Sequence, residues 1–217
     1  MSKVFVIGAT GGVGSRLVPR LIANGHQVSG TSRSSEKAQQ LQSQGAHAVE
    51  MDLMAVTTES MIEAVTGHEV IVFSAGAAGS GADRTTGIDG KALATAVKAA
   101  EVAGCKRFYL VSAFMDAGRD KPRKEGFEHY MATKRQADTV LAASSLDWVI
   151  VRPGTLVSEE GNGAVNAGMA IPYGSVARGN VAGFLASLID NPEITREVIE
   201  LTDGETPVHE AVKRFKR

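Results

Sequence analysis

Residues 3–25 read KVFVIGATGGVGSRLVPRLIANG: an apolar strand, Val4-Phe5-Val6-Ile7, runs straight into glycines at 8, 11 and 14, and a helix begins at once. Each glycine has a separable reason. Gly8 lets the chain turn off the strand, Gly11 lets backbone approach a pyrophosphate, and Gly14 lets the helix pack close to the sheet. From about Gly12 and Val13 the helix points unpaired N–H groups and its positive dipole end at the phosphates, and Thr10 adds a hydroxyl beside them. The run Val13, Leu17, Val18, Leu21 and Ile22 gives that helix an apolar face. The stretch predicts a βα turn that binds a nicotinamide dinucleotide; the alternative is a turn kept only for its fold.

Outward from this turn, short β-branched runs alternate with longer helical patterns. Strands are expected near 3–7, 27–32, 47–51, 69–74, 107–112 and 147–152, with a further strand near 197–201. Helices are expected near 12–24, 35–44, 58–66, 86–104, 127–144, 178–190 and 206–214. The pattern predicts a Rossmann-type α/β fold, a doubly wound parallel sheet in three α/β/α layers, with a small C-terminal lobe on the substrate side. All 217 residues fit one domain. Two stretches break the rhythm, 113–128 and 157–180; both follow strand ends, where open α/β sheets bind ligands. They are the expected substrate loops, although 119–124 also reads as a solvated charged turn.

Composition narrows the function. With 23 basic and 24 acidic residues, net charge is −1, which gives no electrostatic case for nucleic acid or an anionic membrane. A small-molecule substrate is favoured. The single Cys105 excludes an intrachain disulfide and is expected to pack where a helix meets a strand. The five histidines show no metal-ligand spacing, so no metal site is expected. Without a signal-like N-terminus or a stretch of roughly 18 apolar residues, a cytoplasmic protein is expected.

The second strand sets the choice of nucleotide. An NAD-selective fold carries an acidic residue about 20 positions beyond the glycines, on the adenine ribose. Here the strand ends in Ser32, Arg33 and Ser34, and the nearest acid, Glu36, lies past the turn. Arg33 offers a planar fork for a 2′-phosphate, with serine hydroxyls beside it, so NADP(H) is expected over NAD(H). Alternatively Arg33 stacks on adenine or faces solvent while Ser34 or Ser35 caps the next helix.

HYMATKRQADTVL places Tyr130 and Lys134 four residues apart, on one face of a helix. An ammonium beside a phenol of pKa ~10 favours the phenolate and lowers that pKa. Lys134 can do this while donating to the nicotinamide ribose. Ser112, at the end of the preceding strand, is positioned to hydrogen-bond the oxygen that changes charge during hydride transfer. Alone, such a Tyr/Lys pair is more often a surface pair.

With GATGGVG, TSR, MDL, FSAG, LVSA, YMATK and VRPGTL in this order, nearly the whole chain resembles the short-chain dehydrogenase/reductase superfamily. Its glycine spacing is similar to the extended and atypical branches, including the NAD(P)H-binding NmrA-like group. The resemblance implies that Asp52, with Leu53 beside it, holds the adenine amino group. It implies that Ser74, Ala75 and Gly76 run along the adenosine ribose, and that Pro153, Gly154 and Thr155 orient the nicotinamide. The alternative for each is an ordinary strand-end turn. Arg178 to Val181 resembles the family's later helix start, with Asn180 where Asp is common. The long helix before the fifth strand lacks the Asn that holds a proton-relay water in the classical branch, and the long C-terminal domain of sugar epimerases is absent.

Three functions fit these residues. The first is an NADP(H)-dependent reductase of a small carbonyl with Tyr130 as proton donor. Its apolar pocket would draw on Phe114, Met115, Phe127, Met131, Met169, Ile171 and Tyr173, several of which could equally be core. The second is a flavin or quinone reductase without tyrosine chemistry. The third is a non-catalytic nucleotide-sensing regulator with a protein partner.

Overall fold

A computed structural model of the chain describes residues 1–119, 122 and 124–216. Positions 120, 121 and 123 of the first expected substrate loop lie outside the described residues. The elements run β1 (Lys3–Ile7), α1 (Gly14–Ala23), β2 (Gln27–Ser32), α2 (Ser35–Ser43), β3 (His47–Glu50), α3 (Thr58–Val65) and β4 (Val70–Phe73). A helix follows that begins as α4 (Ala82–Arg84), widens into a π-helical stretch (Thr85–Ala92) and tightens again as α5 (Leu93–Val102). Then come β5 (Arg107–Val111), α6 (Glu125–Ala142), β6 (Asp147–Pro153), β7 (Thr155–Val157), β8 (Ala164–Gly168), β9 (Ser175–Ala177), α7 (Arg178–Ile189), β10 (Glu197–Asp203), β11 (Thr206–Pro207) and α8 (Val208–Lys213).

Nine strands form one sheet in the order β11-β8-β10-β6-β5-β4-β1-β2-β3. From β3 to β10 every neighbour is parallel. The chain order reverses between β1 and β4, which opens a crevice at their C-terminal ends. Alternation along β1 shows why two helix layers are needed: Val4 and Val6 enter a core with α1, α7 and α8 on one face, and Phe5 and Ile7 enter a core with α3, α5 and α6 on the other. Cys105 is buried in the second core, and burial pushes its thiol pKa up.

The expected architecture holds, with corrections on its C-terminal side. The sheet is mostly rather than wholly parallel, because β8 pairs antiparallel with β10 and β11 antiparallel with β8. The stretch 157–180, expected as an irregular loop, therefore contributes a strand to the main sheet, while β7 and β9 pair as a separate two-stranded sheet. Gly154 permits that fold, since a Cβ there would lie 2.1 Å from the Gly174 carbonyl oxygen. The expected helix at 206–214 starts later, at Val208, because Thr206 and Pro207 pair with β8. Among the described residues no helix is long and apolar enough to cross a membrane.

Candidate cofactor and active site

At the crevice between β1 and β4 lies a cavity of about 710 Å³, within the range of small-molecule sites. Its floor is the glycine turn. Gly8 has φ +89°, and a Cβ there would stand 2.6 Å from the Ala75 nitrogen, so glycine is required both by backbone conformation and by space. A Cβ on Gly14 would meet the Gly8 carbonyl at 2.2 Å, which is how α1 comes to start directly against β1. The Gly8 N–H donates to Thr31 Oγ1 at 2.9 Å, and Ser74 Oγ donates to the Ile7 carbonyl at 3.2 Å, tying the turn to its neighbours on both sides.

Gly8, Thr10, Gly11, Gly12, Val13, Ser32, Arg33, Asp52, Leu53, Ser74, Ala75 and Gly76 all line this cavity, with Thr31 and Lys37 beside them. Other expected residues stand apart from its wall. Gly14 acts by packing. Ser34 caps α2, accepting from the Lys37 N–H at 3.4 Å, the alternative raised for it from sequence. Pro153 and Gly154 are buried beneath the β7–β9 lobe, and Thr155 shares a 2.5 Å hydrogen bond with the Tyr173 hydroxyl.

Ser112, Tyr130 and Lys134 open on the same cavity. Lys134 and Ser112 have partners the sequence did not announce. Lys134 is buried, and its Nζ donates to Asp89 Oδ1 at 3.2 Å and to the Val111 carbonyl at 3.0 Å. One of its three N–H groups is left for a bound hydroxyl. The other Asp89 oxygen accepts from the Ala77 N–H at 2.9 Å, so one carboxylate joins the turn after β4 to the lysine. Asp89 sits in the π-helical stretch, a geometry found disproportionately at functional sites.

This pairing changes the expected titration. Burial dominates and holds the Tyr130 phenol above its ordinary pKa; Lys134 pulls it down, while Asp89 and Asp138 push it up. The phenol is therefore a weaker acid than Lys134 alone would make it.

Ser112 is tied to a carboxylate of its own. Its hydroxyl donates to Asp138 Oδ1 at 2.5 Å, and Asp138 Oδ2 accepts from Arg152 Nε at 2.9 Å. A serine has one proton to give; here it goes to Asp138, leaving only oxygen lone pairs toward the cavity. Burial raises the Asp138 pKa, opposed by Ser112 and Arg152.

The expected apolar substrate wall is mostly elsewhere. Of its seven residues only Phe127 lines the cavity, its ring centroid 6.3 Å from that of Tyr130. Phe114 and Met131 are core, and Met169 is 78% exposed. Leu156 takes up part of that wall instead. Asp138 could have been found from sequence, since 130, 134 and 138 share one helical face. Thr31, Asp89 and Arg178, which also lines the cavity, carry no comparable signal.

The glycine turn at the switch point, the polar crevice and the buried lysine define a dinucleotide-binding α/β protein. The chain belongs to the NAD(P)H-binding family, whose model matches residues 8–192. It is similar to the uncharacterised sugar epimerase YhfK of Bacillus subtilis, 37% identical over 215 residues, covering 98% of this chain and 100% of that one. A solved structure from Bacillus halodurans, named a candidate NAD-dependent epimerase/dehydratase, superposes with a TM-score of 0.89 at 32% identity, covering 99% of this chain and 100% of that one. ChuY, an anaerobillin reductase from Escherichia coli O157:H7, superposes at 0.78 with 25% identity, covering 93% of this chain and 97% of that one.

Proposed function

We propose that the protein is an NADP(H)-dependent oxidoreductase that reduces a small carbonyl compound, with Tyr130 as the proton donor. The observation that carries this reading is the Tyr130 phenol facing the dinucleotide cavity with the Lys134 ammonium on the same helical face. The reduced nicotinamide supplies the hydride to the carbonyl carbon. The chain supplies the proton: Tyr130 gives its O–H hydrogen to the carbonyl oxygen as negative charge develops there, and the tyrosinate left behind is reprotonated from water. Lys134, already neutralised by Asp89, holds the site's geometry and steadies the transient phenolate. The reductase name of ChuY agrees with the reductive direction. Preference for the 2′-phosphorylated cofactor rests on Arg33, just beyond β2, and Lys37 in α2, both of which line the cavity.

The test is oxidation of NADPH, beside NADH, against aldehydes, ketones, quinones and flavins. Tyr130→Phe should lower turnover by about 100-fold or more while leaving NADPH affinity unchanged. Unchanged turnover would overturn the mechanism. A second reading, direct hydride transfer to a flat flavin or quinone, is favoured by one observation: the Ser112 proton is committed to Asp138, so the site offers a bound oxygen fewer donors than the trio suggests. Turnover that survives Tyr130→Phe only with planar acceptors would support it.

A further inference from the structure

Arg178 opens α7 and reaches back across the crevice to the glycine turn. A Cβ placed on Gly12 would meet Arg178 Cδ at 2.6 Å and Nε at 2.7 Å, so the side chain lies directly over that glycine. It lines the same cavity as Gly8, Thr10, Gly11 and Gly12. Among the described residues no carboxylate lies within ion-pair distance of its guanidinium, and the only hydrogen bond it donates goes from Nη1 to Ser158 Oγ at 2.9 Å. A guanidinium has five N–H groups, so most remain free beside a turn built for anions.

Arg16 makes a useful contrast, because it also reaches Gly12 and its charge is compensated. Its Nε pairs with Glu160 Oε1 at 2.6 Å, and its two terminal nitrogens donate to the Gly12 and Ser158 carbonyls at 2.8 and 2.6 Å. The carboxylate near Arg178 is also directed elsewhere: both Asp203 oxygens accept from the Ala177 N–H, at 3.0 and 3.1 Å, and Oδ1 accepts from Asn180 Nδ2 at 2.7 Å. These bonds fix the backbone from which Arg178 projects while leaving its charge uncompensated. A preorganised cation of this kind loses little freedom on meeting its ligand, and its planar fork suits a bidentate grip on phosphate oxygens.

We propose that Arg178 is the clamp on the diphosphate of the bound dinucleotide, gripping it from the lobe side while the N–H groups of the glycine turn hold it from below. This rests on the dinucleotide-binding reading of the cavity and assigns Arg178 a different phosphate from Arg33. Glycine at position 12 then has its own reason, since a side chain there would displace the guanidinium.

The test compares binding of NADPH and NADH with binding of two probes that lack a diphosphate, adenosine and 2′-AMP, to the wild type, Arg178→Met, Arg178→Lys and Arg33→Met by calorimetry. Arg178→Met should weaken NADPH and NADH alike, by about 10- to 100-fold, and leave adenosine and 2′-AMP unchanged. Arg178→Lys should recover part of the loss. Arg33→Met should weaken NADPH and 2′-AMP and spare NADH. NADPH binding to Arg178→Met within twofold of the wild type would overturn the proposal, and so would an equal loss for 2′-AMP. Wild-type protein that bound neither dinucleotide would overturn the reading of the cavity itself, and this assignment with it.

Discussion

The two ends of the crevice are built from different materials. The glycine-turn end is made mainly of backbone: Gly8, Gly11 and Gly12 present peptide groups, with the Arg178 side chain reaching over them. The Tyr130 end is made of paired ionic side chains, buried Lys134 on Asp89 and the partly exposed Arg152 on Asp138, with Ser112 attached to the second pair. Backbone is positioned by local rules and tolerates no added atom. Charged side chains are positioned by partners distant in sequence, and each partner alters the chemistry of the next. The first end is expected to be unforgiving of bulk and the second unforgiving of lost charge.

The largest expected effect tests the second end. Asp89→Ala leaves the Lys134 ammonium buried without its carboxylate and should cost about 3–5 kcal/mol of stability. The melting temperature should fall by on the order of 10 °C. In the milder Asp89→Asn, removal of the negative charge should lower the Tyr130 pKa, seen as phenolate absorbance emerging at lower pH than in the wild type. An unmoved titration would show that the carboxylate does not set the phenol's state. At the glycine end, Gly14→Ala should cost about 2–3 kcal/mol by forcing α1 away from the Gly8 carbonyl, read by denaturant melts, with nucleotide affinity falling as well. A neutral outcome would break the contrast between the ends.

Ser112→Ala divides the Tyr130 end internally. With its proton already given to Asp138, Ser112 should cost turnover less than tenfold, far below the loss from Tyr130→Phe; equal losses would mean that Ser112 turns to the substrate during the reaction. The smallest effect lies outside both ends. His68 is half-buried beside Phe5 and bonded to Ser29 Oγ, and burial is the main reason its pKa sits below the ordinary value. A depressed folded-state pKa means that its contribution to stability is present above pH ~6.5 and is lost as pH falls through the folded value. His68→Asn should therefore flatten the melting-temperature profile between pH 7 and 5, by under about 1 kcal/mol. A profile identical to that of the wild type would remove His68 from the account.

The same contrast explains what could be read from the chain alone. The glycine turn, the parallel strands and the order of the layers follow from local pattern, because a strand-turn-helix with those glycines has few ways to fold. Tyr130, Lys134 and Ser112 were legible as a group since helix spacing and a strand end bring them together. What they do was less legible. The charge state of Tyr130 depends on Asp89, which is 41 positions earlier in the sequence and enters the site only through a local widening of its helix. Ser112 looked like a donor because its own bond to Asp138 is a tertiary fact. The strand β8 went unread because Ala164–Gly168 is short and finds its partner in β10, more than thirty residues later. The apolar side chains of the expected substrate wall were visible as residues, but which way they faced depended on how the β7–β9 lobe folded over them.

The π-helical stretch from Thr85 to Ala92 makes chain length part of the active site. A π-turn is an α-helix carrying surplus chain. Deleting one residue within it would let the segment close up as ordinary α-helix, with the flanking turns in place and the side chains inside the stretch turned about the helix axis. The apolar residues of α5 would keep their seat in the core, while Asp89 would swing off Lys134. An in-frame loss of one residue could thus disarm the chemistry of a protein that still folds, a lesion invisible to any comparison that counts only substitutions.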